Sequence, residues 1–217
     1  MKAAVLVNPS AGGADDIKTV CDAIDSFLAG CDVISATPFG GGLVRARRFC
    51  DAEAGGYVAR LHAIVDALAA ENPDFYLVAG GDGLAAYVAG RLLRTGHAHP
   101  RLLGVAMGTA NVGPIISFSA ADLKRTAPEK LSFLPCGAIE AFDGDVPVAF
   151  GFNDVVLGNT ILGTIDGAAR PISACAMAQD GSKVPAEPLS DIGESLVIRK
   201  NGVRSPSPLN HTAQIVV

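Results

Sequence analysis

Residues 78–90, VAGGDGLAAYVAG, contain the point at which the sequence pattern changes from a strand to a helix. The apolar run Phe75–Ala79 predicts a buried strand, and apolar residues at helical spacing predict a helix over Leu84–Leu93. Between the two lies a single carboxylate, Asp82, among three glycines. Asp-Gly is a common turn dipeptide, and an acidic residue at a helix start gains about 0.3–1 kcal/mol from the helix dipole. Asp82 is therefore either a turn residue or a charged group directed at a ligand.

The alternation of strand and helix extends outward over the first two thirds of the chain. Apolar runs predict strands at Lys2–Val7, Cys31–Ala36 and Leu102–Ala106. One-sided apolar stripes predict a helix from about Asp15 and another over Val58–Ala70. Strands that alternate with helices at this spacing predict a parallel sheet with right-handed crossovers.

Two local signals refine this α/β region. The segment FGGGLVRARRF, residues 39–49, is interpreted as a mobile, basic connection between elements. Ser119 and Asp122 have the spacing of a short capping box, which predicts the start of another helix.

After about Phe133 the helical periodicity ends and short β-like runs alternate with Asp-Gly turns. The sequence SLVIRKNGVRS predicts a hairpin that turns at Asn201 and Gly202. The last five residues, AQIVV, predict a strand, and an uncovered edge promotes aggregation, so we expect it to be paired, covered by a partner subunit or part of an incomplete domain. We therefore predict an α/β domain over residues 1–135 and a smaller β-rich domain over residues 136–217.

The composition limits the classes of function. With 49% hydrophobic and 18% charged residues, the 217-residue chain has enough apolar material for a substantial core. The net charge of −5 argues against nucleic acid as a partner, and no apolar run approaches the roughly 18 residues of a spanning helix. The five cysteines lack a CxxC pair, so we expect small buried side chains in a reducing cytoplasm and no metal site.

Three glycine-containing loops follow predicted strands: NPSAGG at 8–13, GGDG at 80–83 and GTAN at 108–111. In an open parallel sheet, ligands bind at the carboxyl ends of the strands. Glycines let the backbone approach a ligand closely, and helix N-termini favour phosphate. A carboxylate among them repels phosphate unless Mg²⁺ lies between the two or the carboxylate acts as a general base. These loops therefore favour a ligand role for Asp82.

The three loops, followed by NDVVLGN at 153–159, resemble the superfamily of ATP-NAD kinases and diacylglycerol kinases. The longer stretch NDVVLGNTILGTIDG is most similar to the NAD kinase-like branch called AcoX-type. The resemblance implies a Rossmann-like nucleotide-binding domain followed by a smaller β-sandwich-type domain. It also implies a cytoplasmic phosphotransferase that binds a small-molecule nucleotide and uses Mg-ATP, with NAD as a possible substrate. We expect a homo-oligomer without stable membrane insertion.

The resemblance implies roles for individual residues. Asp82 would act as the base for an acceptor hydroxyl or would organise Mg²⁺. Asn153 and Asp154 match the pair that holds the adenosine part of the dinucleotide in NAD kinases. The residues expected at the nucleotide and its phosphates are Asn8, Gly80, Gly81, Gly83, Gly108, Thr109 and Asn111.

Three functions stay open at this stage. The first is phosphoryl transfer to the adenosine ribose of NAD, and the second is phosphoryl transfer to a lipid or sphingoid-base hydroxyl. The third is a catalytically silent nucleotide-binding module. Leu84 favours the third, because it stands where the GGDGT motif of the superfamily has a threonine hydroxyl.

Overall fold

The computed structural model describes residues 1–11, 14–52, 55–107, 111, 113–153, 155–165, 168–186, 199–200, 203–204 and 215–216. The chain divides into two compact units, Met1–Asn153 and Asp154–Val217, and each is described by itself. The domain boundary predicted near residue 135 stays a prediction.

The first unit is built on six parallel strands. They are β1 (Lys2–Val7), β2 (Asp32–Ala36), β3 (Arg48–Cys50), β4 (Phe75–Gly80), β5 (Leu102–Ala106) and β6 (Ile116–Phe118). Their order in the sheet is β3-β2-β1-β4-β5-β6. The chain runs to one side of β1 for β2 and β3, then crosses to the other side for β4, so the order reverses between β1 and β4. This arrangement confirms the predicted Rossmann-like α/β fold, and the reversal is the point where such sheets bind ligands.

Helices cover both faces of the sheet. They are α1 (Ala14–Phe27), α2 (Tyr57–Ala69), α3 (Asp82–Arg94) and the short α4 (Ala120–Leu123). Alternate residues of β1 enter two separate cores: Ala3, Val5 and Val7 pack with α1 and α4, whereas Ala4 and Leu6 pack with α2 and α3. This period-2 division of one strand between two cores is what a doubly covered parallel sheet requires.

Two apolar side chains within the stretches predicted as helices from their apolar spacing are exposed. Val58 is 39% exposed and Tyr87 is 44% exposed. In α3 the small residues Ala85 and Ala89 are buried against the sheet, so the buried face is turned away from Tyr87. A hydrophobicity pattern underweights alanine, whereas close helix-to-sheet packing favours it. Val58 lies in the first turn of α2, and the buried residues of that helix begin at Leu61.

The segment predicted as a mobile basic connection contains a strand, so that prediction was wrong. Arg48 pairs with Ile34 in parallel register, which makes β3 the edge of the sheet. A three-residue strand with an exposed arginine is too short and too polar for its alternation to be recognised. The predicted capping box is confirmed: the Ser119 N–H donates to Asp122 Oδ2 at 2.9 Å, and the Asp122 N–H donates to Ser119 Oγ at 3.3 Å. The hydrogen bonds from Ser119 lower the pKa of the Asp122 carboxyl.

A hairpin completes the first unit. Its strands β7 (Ile139–Asp143) and β8 (Val146–Gly151) are antiparallel. Phe150 packs on α3, because a Cβ placed on Gly90 would lie 3.4 Å from the Phe150 Cβ. The Arg94 guanidinium lies 5.9 Å from the centre of the Phe150 ring. α3 therefore contacts the hairpin near its C-terminal end and carries Asp82 at its N-terminal end.

In the second unit the described strands are β9 (Val156–Leu157), β10 (Thr160–Ile165), β11 (Ala168–Ser173), β12 (Arg199–Lys200), β13 (Val203–Arg204) and β14 (Ile215–Val216). They form three antiparallel pairs, β10 with β11, β12 with β13, and β9 with β14. The predicted hairpin strands pair as expected, although Asn201 and Gly202 lie outside the described residues. The predicted final strand has a partner in β9.

The second unit also contains a helix, α5 (Ala174–Asp180), in the region where the sequence shows no helical periodicity. Ser173 is its N-cap and accepts a hydrogen bond from the Ala176 N–H at 3.2 Å. Gly181 ends the helix in the left-handed conformation, with φ of 78°. Seven residues make only two turns, which is too short for an apolar stripe, and the signal is instead the pair of caps.

The five cysteines are all free thiols. Cys21 and Cys50 are buried as predicted, and burial raises the pKa of both thiols. Cys136 and Cys175 are exposed, contrary to the prediction. None of the described helices is long and apolar enough to cross a membrane.

Candidate active site

The ends of three neighbouring strands meet at the carboxyl edge of the sheet. β1, β4 and β5 are adjacent, and each is followed by one of the glycine-containing loops. The Asn8 N–H donates to the Ala79 carbonyl at 2.9 Å, and the Met107 N–H donates to the Gly80 carbonyl at 3.1 Å. The predicted convergence of the three loops at one edge is therefore confirmed for the residues that the structure describes. Gly108 and Thr109 lie outside those residues.

Asn8 shapes the first loop through its own side chain. Its Oδ1 accepts a hydrogen bond from the Ser10 N–H at 3.0 Å, and its carbonyl accepts one from the Ala11 N–H at 3.3 Å. This is an Asx-type turn, which reverses the chain between β1 and α1. The expected contact of Asn8 with a nucleotide stays a prediction.

The three glycines around Asp82 have different surroundings. A Cβ on Gly80 would lie 3.1 Å from Leu84 Cδ2 and 3.4 Å from the Asn8 Cβ, so Gly80 lets two strand ends approach each other. Gly81 has φ of −111°, which any residue can adopt, so its conformation does not require glycine. A Cβ on Gly83 would meet nothing within 4 Å. The first turn of α3 is therefore open at Gly83, where its N–H groups lack intrahelical partners.

Asp82 is the first residue of α3, and its carboxylate is held by a loop far away in the sequence. Oδ2 accepts a hydrogen bond from the Gly113 N–H at 3.0 Å, and Oδ1 is buried. Asn111, in the same loop after β5, places its Oδ1 3.5 Å from the position that a Cβ on Gly81 would occupy. The GTAN loop predicted to line the site thus lies directly against the GGDG turn at Asn111. Gly113 was not among the predicted site residues, and the only signal for it is the Gly-Pro pair that follows the motif.

The charge of these loops restricts how they can bind phosphate. Residues 8–13, 80–83 and 107–113 include no Lys, Arg or His, and Asp82 is their only charged residue. Within the described part of the chain, no three His, Cys, Asp or Glu side chains are grouped closely enough to hold a metal ion. Mg²⁺ commonly binds one or two carboxylates together with the phosphates of a substrate. The donor set, one carboxylate and the N–H groups of a helix start, fits an ion that arrives with a nucleotide.

Leu84 does not face the site. It is 4% exposed and packs in the core with α2, so residue 84 does not supply the hydroxyl that the GGDGT motif would place there. Asn153 is exposed and lies at the end of the first unit, three residues after Phe150, and Asp154 lies outside the described residues. The dinucleotide contacts of both residues therefore stay a prediction.

An aromatic pair stands at the same edge and was not predicted. Tyr57 is the first residue of α2, and its ring meets Phe39 edge-on with 5.6 Å between centroids. The Phe39 carbonyl accepts a hydrogen bond from the Val7 N–H at 2.9 Å, which places the pair beside the end of β1. Tyr57 is 53% exposed, and partial burial raises the pKa of its hydroxyl. The pair gives this edge an apolar wall next to the polar loops.

Sequence comparison agrees with this geometry. The chain matches the family model of the diacylglycerol kinase catalytic domain over residues 2–115, which is more than half of its 217 residues and includes β1 to β5, Asp82 and Gly113. It belongs to that family of kinase catalytic domains, within the superfamily of ATP-NAD kinases and diacylglycerol kinases. The superfamily predicted from the loops is confirmed, and the AcoX-type branch stays a prediction.

A relative from Archaeoglobus fulgidus, described as an uncharacterized protein, is 31% identical over 208 residues. The alignment covers 91% of this chain and 63% of the relative. The chain therefore spans less than two thirds of the length of this curated relative.

Proposed function

We propose that this chain transfers the γ-phosphoryl group of Mg-ATP to a hydroxyl group of an acceptor molecule. The observation that carries the proposal is the position of Asp82. This carboxylate lies at the first residue of α3, on the edge where β1, β4 and β5 end, and a second loop holds it in place. Membership of a kinase catalytic-domain family supports the same reaction class.

The roles follow from the chemistry of the reaction. A hydroxyl is a weak nucleophile, so Asp82 accepts its proton while the acceptor oxygen bonds to the γ-phosphorus. The bond from that phosphorus to the ADP oxygen breaks, and the products are the phosphorylated acceptor, ADP and a proton. The backbone N–H groups at the start of α3 bind phosphate oxygens. Mg²⁺ bound with the nucleotide would neutralise part of the phosphate charge, because these loops contain no cationic side chain.

The first candidate acceptor is the adenosine ribose of NAD. It is supported by the similarity of Asn153 and Asp154 to the NAD kinase pair, and the product would be NADP. The exposed side chain of Asn153 is accessible to such a ligand.

The second candidate acceptor is a lipid hydroxyl. The hairpin of β7 and β8 exposes Phe142, Val146 and Val148, each more than half exposed. Exposed apolar side chains grouped on one hairpin are typical of a surface that meets an apolar partner. The diacylglycerol kinase family match supports this acceptor as well.

The test is to measure ADP formation from Mg-ATP with NAD, with diacylglycerol and with a sphingoid base, the two lipids presented in detergent micelles. We expect turnover with one class of acceptor and its loss in Asp82→Asn. Asp32→Asn, the same change at the opposite edge of the sheet, is the matched control. Thermal stabilisation by Mg-ATP without turnover on any acceptor would instead support the silent module, and absence of both effects would contradict nucleotide binding.

A further inference from the structure

We propose that Gly113 is a positioning residue for Asp82, acting through both its N–H group and its missing side chain. The inference rests on the proposed function for the kinetic consequence, but not for the contact itself. Its starting point is the hydrogen bond of 3.0 Å from the Gly113 N–H to Asp82 Oδ2, which joins residues 31 positions apart.

The space around Gly113 explains why this position requires glycine. A Cβ built there would lie 2.9 Å from Asp82 Oδ1 and 3.1 Å from Asp82 Cγ. Real Cβ atoms essentially never show contacts below 3.0 Å, so the carboxylate would have to move. Gly113 is not among the glycines with positive φ, so its backbone conformation would accept alanine. Glycine is therefore favoured at position 113 because a side chain there would take the space that the Asp82 carboxylate occupies.

The contact also determines where the carboxylate points. The N-cap of α3 is Gly81, which has no side chain with which to cap the helix. Asp82 directs Oδ2 across to the loop after β5. Asn111 of that loop lies over Gly81, so the loop meets the turn at two successive residues. A hydrogen bond from a fixed backbone group removes rotamer freedom from the carboxylate, and a catalytic base needs such fixed geometry.

The alternative is that Gly113 only helps to pack the loop. A double-mutant cycle separates the two roles, because a positioning residue acts through its partner whereas a packing residue acts independently. The cycle uses wild type, Gly113→Ala, Asp82→Ala and the double variant. Gly30→Ala is the control, because a Cβ there would meet nothing within 4 Å and the residue lies in the turn between α1 and β2.

The first readout is the unfolding equilibrium in urea. We expect Gly113→Ala to raise the equilibrium constant of unfolding at least about fivefold when Asp82 is present, because the added methyl group overpacks the site. In the Asp82→Ala background the same change should raise this constant less than about twofold. The second readout is hydrogen exchange of the Gly113 amide, which needs no variant at Gly113. We expect this amide to exchange at least about tenfold faster in Asp82→Ala than in wild type, because its acceptor is gone. Equal shifts in both backgrounds, or unchanged exchange, would overturn the inference.

The third readout is the turnover of the full chain. Gly113→Ala should lower kcat about tenfold or more while KM for Mg-ATP changes less than about twofold, because a displaced base affects the chemical step. In the Asp82→Ala background the same change should leave the residual rate unaltered. Unchanged kcat in a folded Gly113→Ala variant would overturn the positioning role. A wild-type chain with intact coupling but no turnover would overturn the proposed function and leave Gly113 as the residue that holds the carboxylate.

Discussion

The two edges of the parallel sheet carry their charges differently. At the amino edge, Asp32 forms a two-point ion pair with Arg47 at 2.6 and 2.9 Å, and Glu71 contacts both Lys2 and Arg48. At the carboxyl edge, Asp82 accepts a hydrogen bond from the backbone of Gly113, and the surrounding loops contain no cationic residue. Asp32 and Glu71 at the amino edge are paired with basic side chains, whereas Asp82 at the carboxyl edge is oriented by the backbone of Gly113.

A cavity at the amino edge is also lined by paired charges. A space of about 620 Å³ opens at the amino edge, lined by Asp25, Cys31, Asp32, Arg45 and Arg47, among others. Its charged groups neutralise one another, since Arg45 faces Asp25 and Arg47 faces Asp32. A cavity by itself would suggest a binding site at this edge. The strand order and the three glycine-containing loops favour the other edge, because parallel sheets bind ligands where the carboxyl ends of their strands meet.

The largest expected difference between the edges is in turnover. Asp82→Asn should lower the rate of phosphoryl transfer by about 10²–10⁴-fold, the usual effect of losing a general base. The unfolding free energy should change by no more than about 1 kcal/mol, because asparagine retains an oxygen that can accept from Gly113. Steady-state kinetics and urea unfolding of this variant and of the control Asp32→Asn measure both quantities. Equal rates in the two variants would show that Asp82 is only a turn residue.

The second expected effect is on the metal dependence of nucleotide binding. Removing Mg²⁺ with a chelator should weaken ATP binding on the order of 100-fold, or about 3 kcal/mol, because the three loops contain no cationic residue and the Asp82 carboxylate would repel the phosphates. Calorimetric titration with and without Mg²⁺ measures this. An ATP affinity that is independent of Mg²⁺ would argue that a cation from elsewhere in the chain completes the site.

A smaller effect is expected from Gly81→Ala. The backbone of Gly81 and the 3.5 Å distance from its Cβ position to Asn111 Oδ1 both accept alanine, so the fold should be retained. A methyl group at this turn should nevertheless keep phosphate away from the backbone and weaken Mg-ATP binding roughly tenfold, or about 1.4 kcal/mol. Gly30→Ala serves as the control in the same titration. An unchanged affinity would exclude close approach of phosphate at Gly81.

The smallest effect is expected at the amino edge. Arg47→Ala removes an ion pair whose side chains are 63% and 37% exposed, so solvent screening limits the loss of unfolding free energy to at most about 1 kcal/mol. That loss should shrink in high salt, and Mg-ATP affinity should stay as in wild type. Urea unfolding at two salt concentrations, with nucleotide titration, checks this. Weakened nucleotide binding would show that the two edges are not independent.

Much of the fold could be predicted because it depends on local periodicity. The bounds of β1 and β5 were predicted to the residue, and α3 was predicted within two residues at its start and one at its end. These elements carry long apolar runs or stripes whose period reflects their own geometry. β3 and α5 were missed because each is too short for a period to show, and each depends on a neighbouring strand or on its caps.

The order of residues is enough to show that three glycine-containing loops follow three strands and that one of them carries a carboxylate. What orients that carboxylate became visible once the chain was folded. The pairing of Gly80 with Ala106 in the β4–β5 register brings the two loops side by side, and Gly113 then reaches Asp82. Periodicity encodes which face of an element is buried, because that depends on neighbours a few residues away. A hydrogen bond between residues 31 positions apart depends on strand order and register, which arise only when the whole sheet assembles.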